Sequence, residues 1–383
     1  MRIGLVSDTY TPQVNGVTTV VRRIVSLLAA QGHEALVVAP RYPEAAWSQD
    51  ARELRVPSVA CPLYPDIRMA LPPFRRVAGF FGVAPPDVVH VHTEGALGLA
   101  GRRWALRHEV PLVTTFHTNF PEYSRHYGVG FLEPLVWRWL RWFHAPARVT
   151  FTPGEAVRDE LGRRGLIHTA VWGRGVDPHF FHPRRRDANW RRQLTGDGDG
   201  VIVVHVGRLA REKNLGALID AWRQAHAALG PRATFVVAGE GPEARRVASE
   251  LPFAHLLGFL PREDLARLYA SADICVFPSH TETCGLVALE AMASGTAVVA
   301  ADAGGFRESI RPGETGILVP PHDPRAYADA ITMLVGDPAR RFALAAAARD
   351  AVLGRDVVLE NAELLDRYVT LSGRSERRTT CAA

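Results

Sequence analysis

Apolar residues in this chain fall in short strand-like runs separated by longer stretches of helical spacing, with glycine or proline at most junctions. Residues 2–7 (RIGLVS) predict a strand. Residues 8–16 form a polar loop holding Pro12 and Asn15-Gly16, and residues 17–31 predict a helix that Gly32 stops. Further strands are expected at 35–39, 87–92, 111–115, 149–152 and 169–172, with a helix after Pro153. Residues 173–186 (GRGVDPHFFHPRRR) read as a linker between domains. The pattern then restarts with a strand at 201–206, a helix at 215–229 and strands at 234–238, 255–260, 273–277 and 296–300. Three helical stretches follow at 323–336, 339–353 and 356–371. This alternation predicts an α/β protein with two doubly wound, Rossmann-like domains, whose ligand loops lie at the carboxyl ends of strands. The expected divisions are 1–175, 176–355, a terminal helix at 356–371 and a polar, disordered tail at 372–383.

The stretch 279–295 (SHTETCGLVALEAMASG) organises the second half. A strand enters it and a loop leads to a helix near Gly285, with Leu286, Val287, Leu289 and Met292 at spacings suited to burial. Glu290 interrupts that apolar face, and Glu282 sits in the loop at the helix mouth, where free N–H groups and the helix dipole favour an anion. Either glutamate alone reads as a cap or a solvated residue. Together they suit a ligand with hydroxyls at both ends and phosphates between. The loop after the strand at 201–206, GRLAREKN, presents Arg208 and Lys213 at the mouth of the next helix, a phosphate-binding arrangement. It is not a Walker loop, and Asn15-Gly16 is not a GxGxxG.

Composition sharpens this picture. Of 45 basic residues, all but Lys213 are Arg, so a compact ammonium stands at one position in a chain that otherwise uses guanidinium. Residues 1–180 hold 20 Arg and 15 acids, while the remainder holds 25 of each, so the net charge of +5 lies in the first half. Such an imbalance marks an anionic partner. Residues 72–83 interleave Arg75 and Arg76 with Phe74, Phe80 and Phe81, which makes Arg75, Arg76, Phe80 and Phe81 the candidate contact with an anionic membrane surface. The second aromatic and basic stretch, 131–143, is apolar around most of its circumference and is expected in the core. The four cysteines form no CxxC pair, and Cys284 reads as a small pocket-lining residue. His90, His92, His117, His126 and His144 match no HExxH spacing, so no metal site is expected. No leader or membrane-spanning run is seen, which gives a cytoplasmic expectation with the inner face of the cell membrane as the surface to be met. A nucleic-acid partner is not expected.

Four separated motifs resemble one family. ETCGLVALEAMASGTAVV, with its two glutamates in an E-x7-E pattern, is similar to the donor-site signature of retaining family 4 glycosyltransferases of the GT-B fold. GRLAREKN is similar to that family's diphosphate motif, TTFHTNFPEY to its acceptor-domain motif and residues 173–186 to its interdomain segment. YPDIRMALPPF and HVHTEGALGLAGR carry a narrower likeness to lipid-directed mannosyl-, glucosyl- and sulfoquinovosyltransferases. The resemblance implies two domains facing across a cleft, with the last helix crossing back to the first. It implies that Glu290 holds the ribose, that Glu282 with Cys284, Gly285 and Leu286 holds the sugar, and that Leu260 lies at the base. Arg208 and Lys213 would bind the diphosphate with help from Asn15 and Gly16, and His117 would contact the donor sugar. These roles make His117, Arg208, Lys213 and Glu282 the catalytic candidates. The implied activity is transfer of a hexose, mannose from GDP-mannose before a UDP-sugar, to a lipid or glycan acceptor. Because two fixed cations can meet the charge on a departing diphosphate, no essential metal or cofactor is expected. A nucleotide-sugar epimerase and a non-catalytic sugar-nucleotide-binding protein are the alternatives from other classes.

Overall fold

The computed structural model describes residues 1–13, 15–43, 48–61, 64–117, 131, 133–172, 175–196 and 200–373, without the side chains of 61 and 64–67. His126, Cys381 and most of the tail expected to be disordered therefore lie outside the described residues, as do residues 118–130 and the junction at 173–174. The chain divides into two compact units, one formed by Met1–Gly173 with the chain from Glu360 onward, the other by Arg174–Leu359.

The first unit is built on a parallel sheet of β1 (Arg2–Val6), β2 (Glu34–Pro40), β3 (Ala51–Val56), β6 (Val88–Val91), β7 (Leu112–Thr115), β8 (Val149–Thr152) and β9 (Thr169–Val171). Between β3 and β6 a hairpin, β4 (Ser58–Cys61) with β5 (Tyr64–Ala70), stands apart from the sheet. The order β3-β2-β1-β6-β7-β8-β9 reverses direction between β1 and β6. Leu5 is registered with Val37 on one side and His90 on the other. Helices cover both faces, which explains why the strands read as continuous apolar runs rather than alternating ones. On one face Ile3, Leu5 and Val37 pack with Val21, Ile24 and Leu28 of the helix Gly16–Ala30, and with Leu364 and Tyr368 of the last helix, Val357–Leu371. On the other, Val6, Leu36 and Val38 pack with Val77, Phe81 and Trp104.

The second unit repeats the scheme with β10 (Val201–Val206), β11 (Ala233–Ala238), β12 (His255–Leu256), β13 (Ile274–Phe277), β14 (Ala297–Ala301) and β15 (Ile317–Val319) in the order β12-β11-β10-β13-β14-β15. Here the order reverses between β10 and β13. In a doubly wound sheet that reversal opens a crevice at the carboxyl ends of the two strands. The strand expected at 255–260 ends at Leu256, because Gly258 takes a left-handed φ of +65° and turns the chain.

Two sequence expectations are corrected. Phe81 is not a surface residue: it is fully buried, meets Trp104 edge-on at 5.0 Å and lies so close to β1 that a Cβ at Gly4 would stand 3.0 Å from its ring. Arg75 and Arg76 are exposed on the same helix, Phe74–Val83. The helix Glu133–His144 is only half in the core. Trp137, Leu140 and Phe143 are buried, while Leu135, Trp139 and Trp142 remain exposed. Its 3.6-residue period sorts the aromatics onto two faces that composition alone merges. Phe81→Ala is expected to cost about 3–5 kcal/mol by the lost burial and the cavity left behind. Arg75→Ala should stay within about 0.5 kcal/mol of the parent. Urea denaturation of the two variants checks the assignment, and equal midpoints would overturn it.

Candidate active site

The crevice of the second sheet is lined by the loops that follow β10 and β13. After β10 the chain passes through Gly207 and Arg208 into a 3₁₀ turn, Arg211–Lys213, and then into Asn214 at φ 55°, ψ 40°. Asparagine tolerates this left-handed conformation better than most residues. Its side-chain amide donates to the carbonyls of Pro278 at 3.1 Å and Pro321 at 2.6 Å, riveting three loops together. Glu212, buried beside it, offers its backbone carbonyl to the Thr281 hydroxyl at 3.1 Å. Lys213 is thereby aimed across the crevice, where its ammonium donates to the Glu282 carboxylate in a close ion pair. The two residues lie 69 positions apart in sequence.

Beyond Glu282 the loop turns at Gly285, whose φ of +70° starts the helix Leu286–Ala293. A Cβ there would also stand 2.8 Å from the Phe306 ring, so both conformation and space require glycine. Gly304 and Gly305, which the sequence shows only as turns, brace the loop from behind. The Gly305 N–H donates to the Glu282 carbonyl at 2.7 Å, and a Cβ at Gly304 would come within 2.3 Å of that same oxygen. Leu260 packs partly buried against the core of this unit.

Glu290 projects from the same short helix. It keeps partial exposure, yet burial among its neighbours pushes its pKa up to about 7, with Arg262 and Tyr269 opposing the shift. Tyr269 is fully buried beside Glu290, and its hydroxyl favours the ionised carboxylate. Arg208 is half-buried. Burial lowers its pKa and the neighbouring Glu212 counters that shift, so it stays a cation. His205, on β10 behind the ion pair, hydrogen-bonds the Val276 carbonyl through Nδ1 at 2.9 Å, and burial lowers its pKa to about 4.

In the first unit, the loop after β1 ends at Asn15, whose Oδ1 accepts from Thr18 N–H at 2.9 Å and caps the helix Gly16–Ala30. Asn15 thus has a structural task. Gly16 is open, since a Cβ there would meet no atom within 4 Å. His117 follows β7, and its Nε2 lies 3.0 Å from Nδ1 of His92, with the rings stacked 5.3 Å apart. Burial, aided by Arg23, holds the His117 pKa near 3, so the imidazole is neutral at working pH. His92 lies in turn against His90, ring centres 4.0 Å apart and tilted by 34°, and the His90 ring nitrogens lie 2.6 Å from the Tyr368 and Thr115 hydroxyls. Sequence reasoning considered His90 and His92 only as metal ligands and did not foresee their contact with His117. Their i, i+2 spacing on a strand, which puts both on one face, was the available signal. Among the described residues no group of three or more His, Cys, Asp or Glu is arranged to hold a metal ion.

Because the Glu290 carboxyl titrates near 7 when folded and at its ordinary 4.5 when unfolded, its contribution to stability is full below about pH 4.5 and is lost as pH rises through 7. Glu290→Gln removes the titration. The variant is expected to exceed the parent's stability by about 2–3 kcal/mol near pH 8 and by nothing near pH 4.5, as read by guanidinium denaturation at both values. A pH-independent difference would contradict the raised pKa.

Comparison with known proteins identifies the family and the fold. Residues 14–180 match Glycosyltransferase Family 4, and residues 186–351 match Glycosyl transferases group 1. The chain is 36% identical to a GDP-mannose-dependent alpha-mannosyltransferase of Mycobacterium tuberculosis, over 100% of this chain and 99% of that one. It is 35% identical to the protein of the same name from Mycolicibacterium smegmatis, over 99% and 100%. A sulfoquinovosyl transferase of Arabidopsis thaliana is 30% identical over 88% of this chain and 67% of its own length. Among solved structures, sucrose-phosphate synthase from Thermosynechococcus elongatus aligns with a TM-score of 0.77 at 23% identity over all of both chains. WaaG, a glycosyltransferase involved in lipopolysaccharide biosynthesis, aligns at 0.74 and 18% identity over 96% of this chain and 99% of that one. At these identities the solved structures speak for the fold, which is GT-B. With two family matches in chain order and relatives aligned over their full length, the chain belongs to the family 4 glycosyltransferases.

Proposed function

We propose that the protein is a retaining α-mannosyltransferase that moves mannose from GDP-mannose to a lipid or glycan acceptor. The carrying observation is the meeting of Lys213 and Glu282 where the second sheet reverses, with Arg208 in the same loop. A cation for phosphate and a carboxylate for hydroxyls stand side by side, and Glu290 lies on the helix that follows for the ribose. The names of the full-length relatives supply the choice of sugar and base.

Transfer breaks the bond between the anomeric carbon and the diphosphate oxygen and forms one to the acceptor oxygen. Negative charge gathers on the departing diphosphate. Arg208 and Lys213 accelerate that step to the extent that they bind the charge more strongly as it develops. The acceptor proton passes to the leaving phosphate on the same face, so configuration is retained without an enzymic nucleophile. His117, being neutral, gives the first unit a hydrogen-bonding group rather than a cation. The reaction proceeds without a divalent metal, since the two side chains supply the countercharge.

A membrane surface is the second element of the proposal. The helices Phe74–Val83 and Ala96–Arg107 contain no acidic residue, and the exposed Arg75, Arg76, Arg103 and Arg107 surround exposed Phe74 and Leu106. The Arg103 guanidinium lies 5.9 Å over the Phe74 ring. Basic groups around an apolar tip suit the headgroup zone of an anionic bilayer. Among the described residues no helix is long and apolar enough to cross a membrane.

Lys213→Ala should lower kcat by roughly 100-fold or more while changing folding stability by less than about 1 kcal/mol, and a chelator should leave the parent's rate unchanged. Parent-like turnover in the variant would remove Lys213 from the site. Replacing Arg75 and Arg76 together by alanine should weaken binding to phosphatidylserine vesicles about 30-fold at low salt, from about 1 kcal/mol per arginine. Co-sedimentation that is insensitive to both the substitution and salt would refute the surface.

A further inference from the structure

One carboxylate beside the crevice has no part in the roles above. Glu240 stands in the loop after β11, between the loops that follow β10 and β12. Its backbone carbonyl accepts from Leu209 N–H at 2.8 Å, next to Arg208, and its Oε1 accepts from Phe259 N–H at 3.3 Å, next to Leu260. Glycines draw the three loops together. Gly239, at φ +141°, donates to the Gly258 carbonyl at 2.8 Å, and a Cβ on it would stand 1.9 Å from the Gly207 carbonyl. Glu240 is exposed, and among the described residues no arginine, lysine or histidine forms an ion pair with it. The nearby acid Glu243 differs in this respect, being engaged by Arg246 at 3.1 Å.

An unpaired carboxylate beside an anion-binding loop repels the ligand that the loop attracts. It is tolerated where another part of that ligand presents hydrogen-bond donors to it. Resting on the GDP reading above, we propose that Glu240 selects guanine, its carboxylate accepting the base N1–H and 2-amino group while the 258–260 turn holds the ring. A carboxylate has about four lone-pair sites, so the existing bond from Phe259 leaves capacity for two more. Guanine offers two adjacent donors on its Watson–Crick edge. Uracil offers one N–H flanked by carbonyl oxygens, which would face the carboxylate unfavourably. Hypoxanthine keeps N1–H and lacks the amine, so it reports on the second contact alone.

Isothermal calorimetry of the full chain with GDP, IDP and UDP tests this. The parent should bind GDP about 10-fold more tightly than IDP, the scale of one hydrogen bond to a charged group at an exposed site. In Glu240→Ala the GDP to IDP ratio should collapse to within about twofold, with UDP affinity moving less than about threefold. Glu240→Gln, which keeps size but loses one acceptor, should fall between. Equal loss of GDP and IDP affinity in Glu240→Ala would mean that the residue only shapes the turn, and would overturn the proposal while leaving the GDP reading intact. A parent that prefers UDP, or binds no guanine nucleotide, would overturn the GDP reading and this inference together.

Discussion

The ion pair between Lys213 and Glu282 is the contact around which the second unit's crevice is arranged. Its side chains are about one-fifth exposed. Half-buried pairs of this kind contribute little net stability, because the charges give up water to meet. The surrounding loops nevertheless spend many contacts on holding it. Asn214 anchors the lysine's loop to Pro278 and Pro321, Thr281 ties the glutamate's loop to Glu212, and Gly304 with Gly305 close the rear. A pair of small energetic value held so firmly is better understood as two charges kept ready for exchange. On the proposed function, phosphate oxygens would replace the carboxylate at Lys213, and sugar hydroxyls would replace the ammonium at Glu282.

The first unit uses the opposite electrostatics. His90, His92 and His117 are buried or half-buried, and burial depresses the pKa of each below the ordinary histidine value. They form a neutral row of rings, and His90 at its end is held by short contacts to the Tyr368 and Thr115 hydroxyls. Tyr368, from the last helix, reaches His90 at 2.6 Å, and the Trp172 indole donates to the Glu360 carbonyl at 3.0 Å. The returning helix therefore does more than cover apolar surface. It fixes the ring behind the ring that His117 touches.

Much of this was legible in the sequence, for an identifiable reason. Strands buried on both faces give uninterrupted apolar runs, and left-handed or crowded turns demand glycine, so β1, β10, β13 and Gly285 all announce themselves locally. Lys213 and Glu282 were each visible as candidates. Their contact was not, since no local rule links positions 69 residues apart. Asn214, Gly304 and Gly305 were missed for the same reason: their importance lies in what they touch across the fold. Phe81 shows a different limit. A short helix of mixed arginine and phenylalanine has the same composition whichever phenylalanine turns inward, and only the packing against Gly4 and Trp104 decides it.

The distribution of charge follows from the same contrast. The first half of the sequence carries the whole net excess of +5, and the structure displays four of its arginines on two acid-free helices. The second half is balanced, and near its crevice the balance is local: Lys213 has Glu282, and Arg208 has Glu212 beside it. An open basic patch attracts any anionic surface. On the proposed function a pre-paired crevice would discriminate, because a bare phosphate that takes Lys213 strands Glu282 without a partner, whereas a nucleotide sugar satisfies both. On the proposed function, the neutrality of the second half is therefore what lets the crevice favour the intact donor over the inorganic phosphate around it.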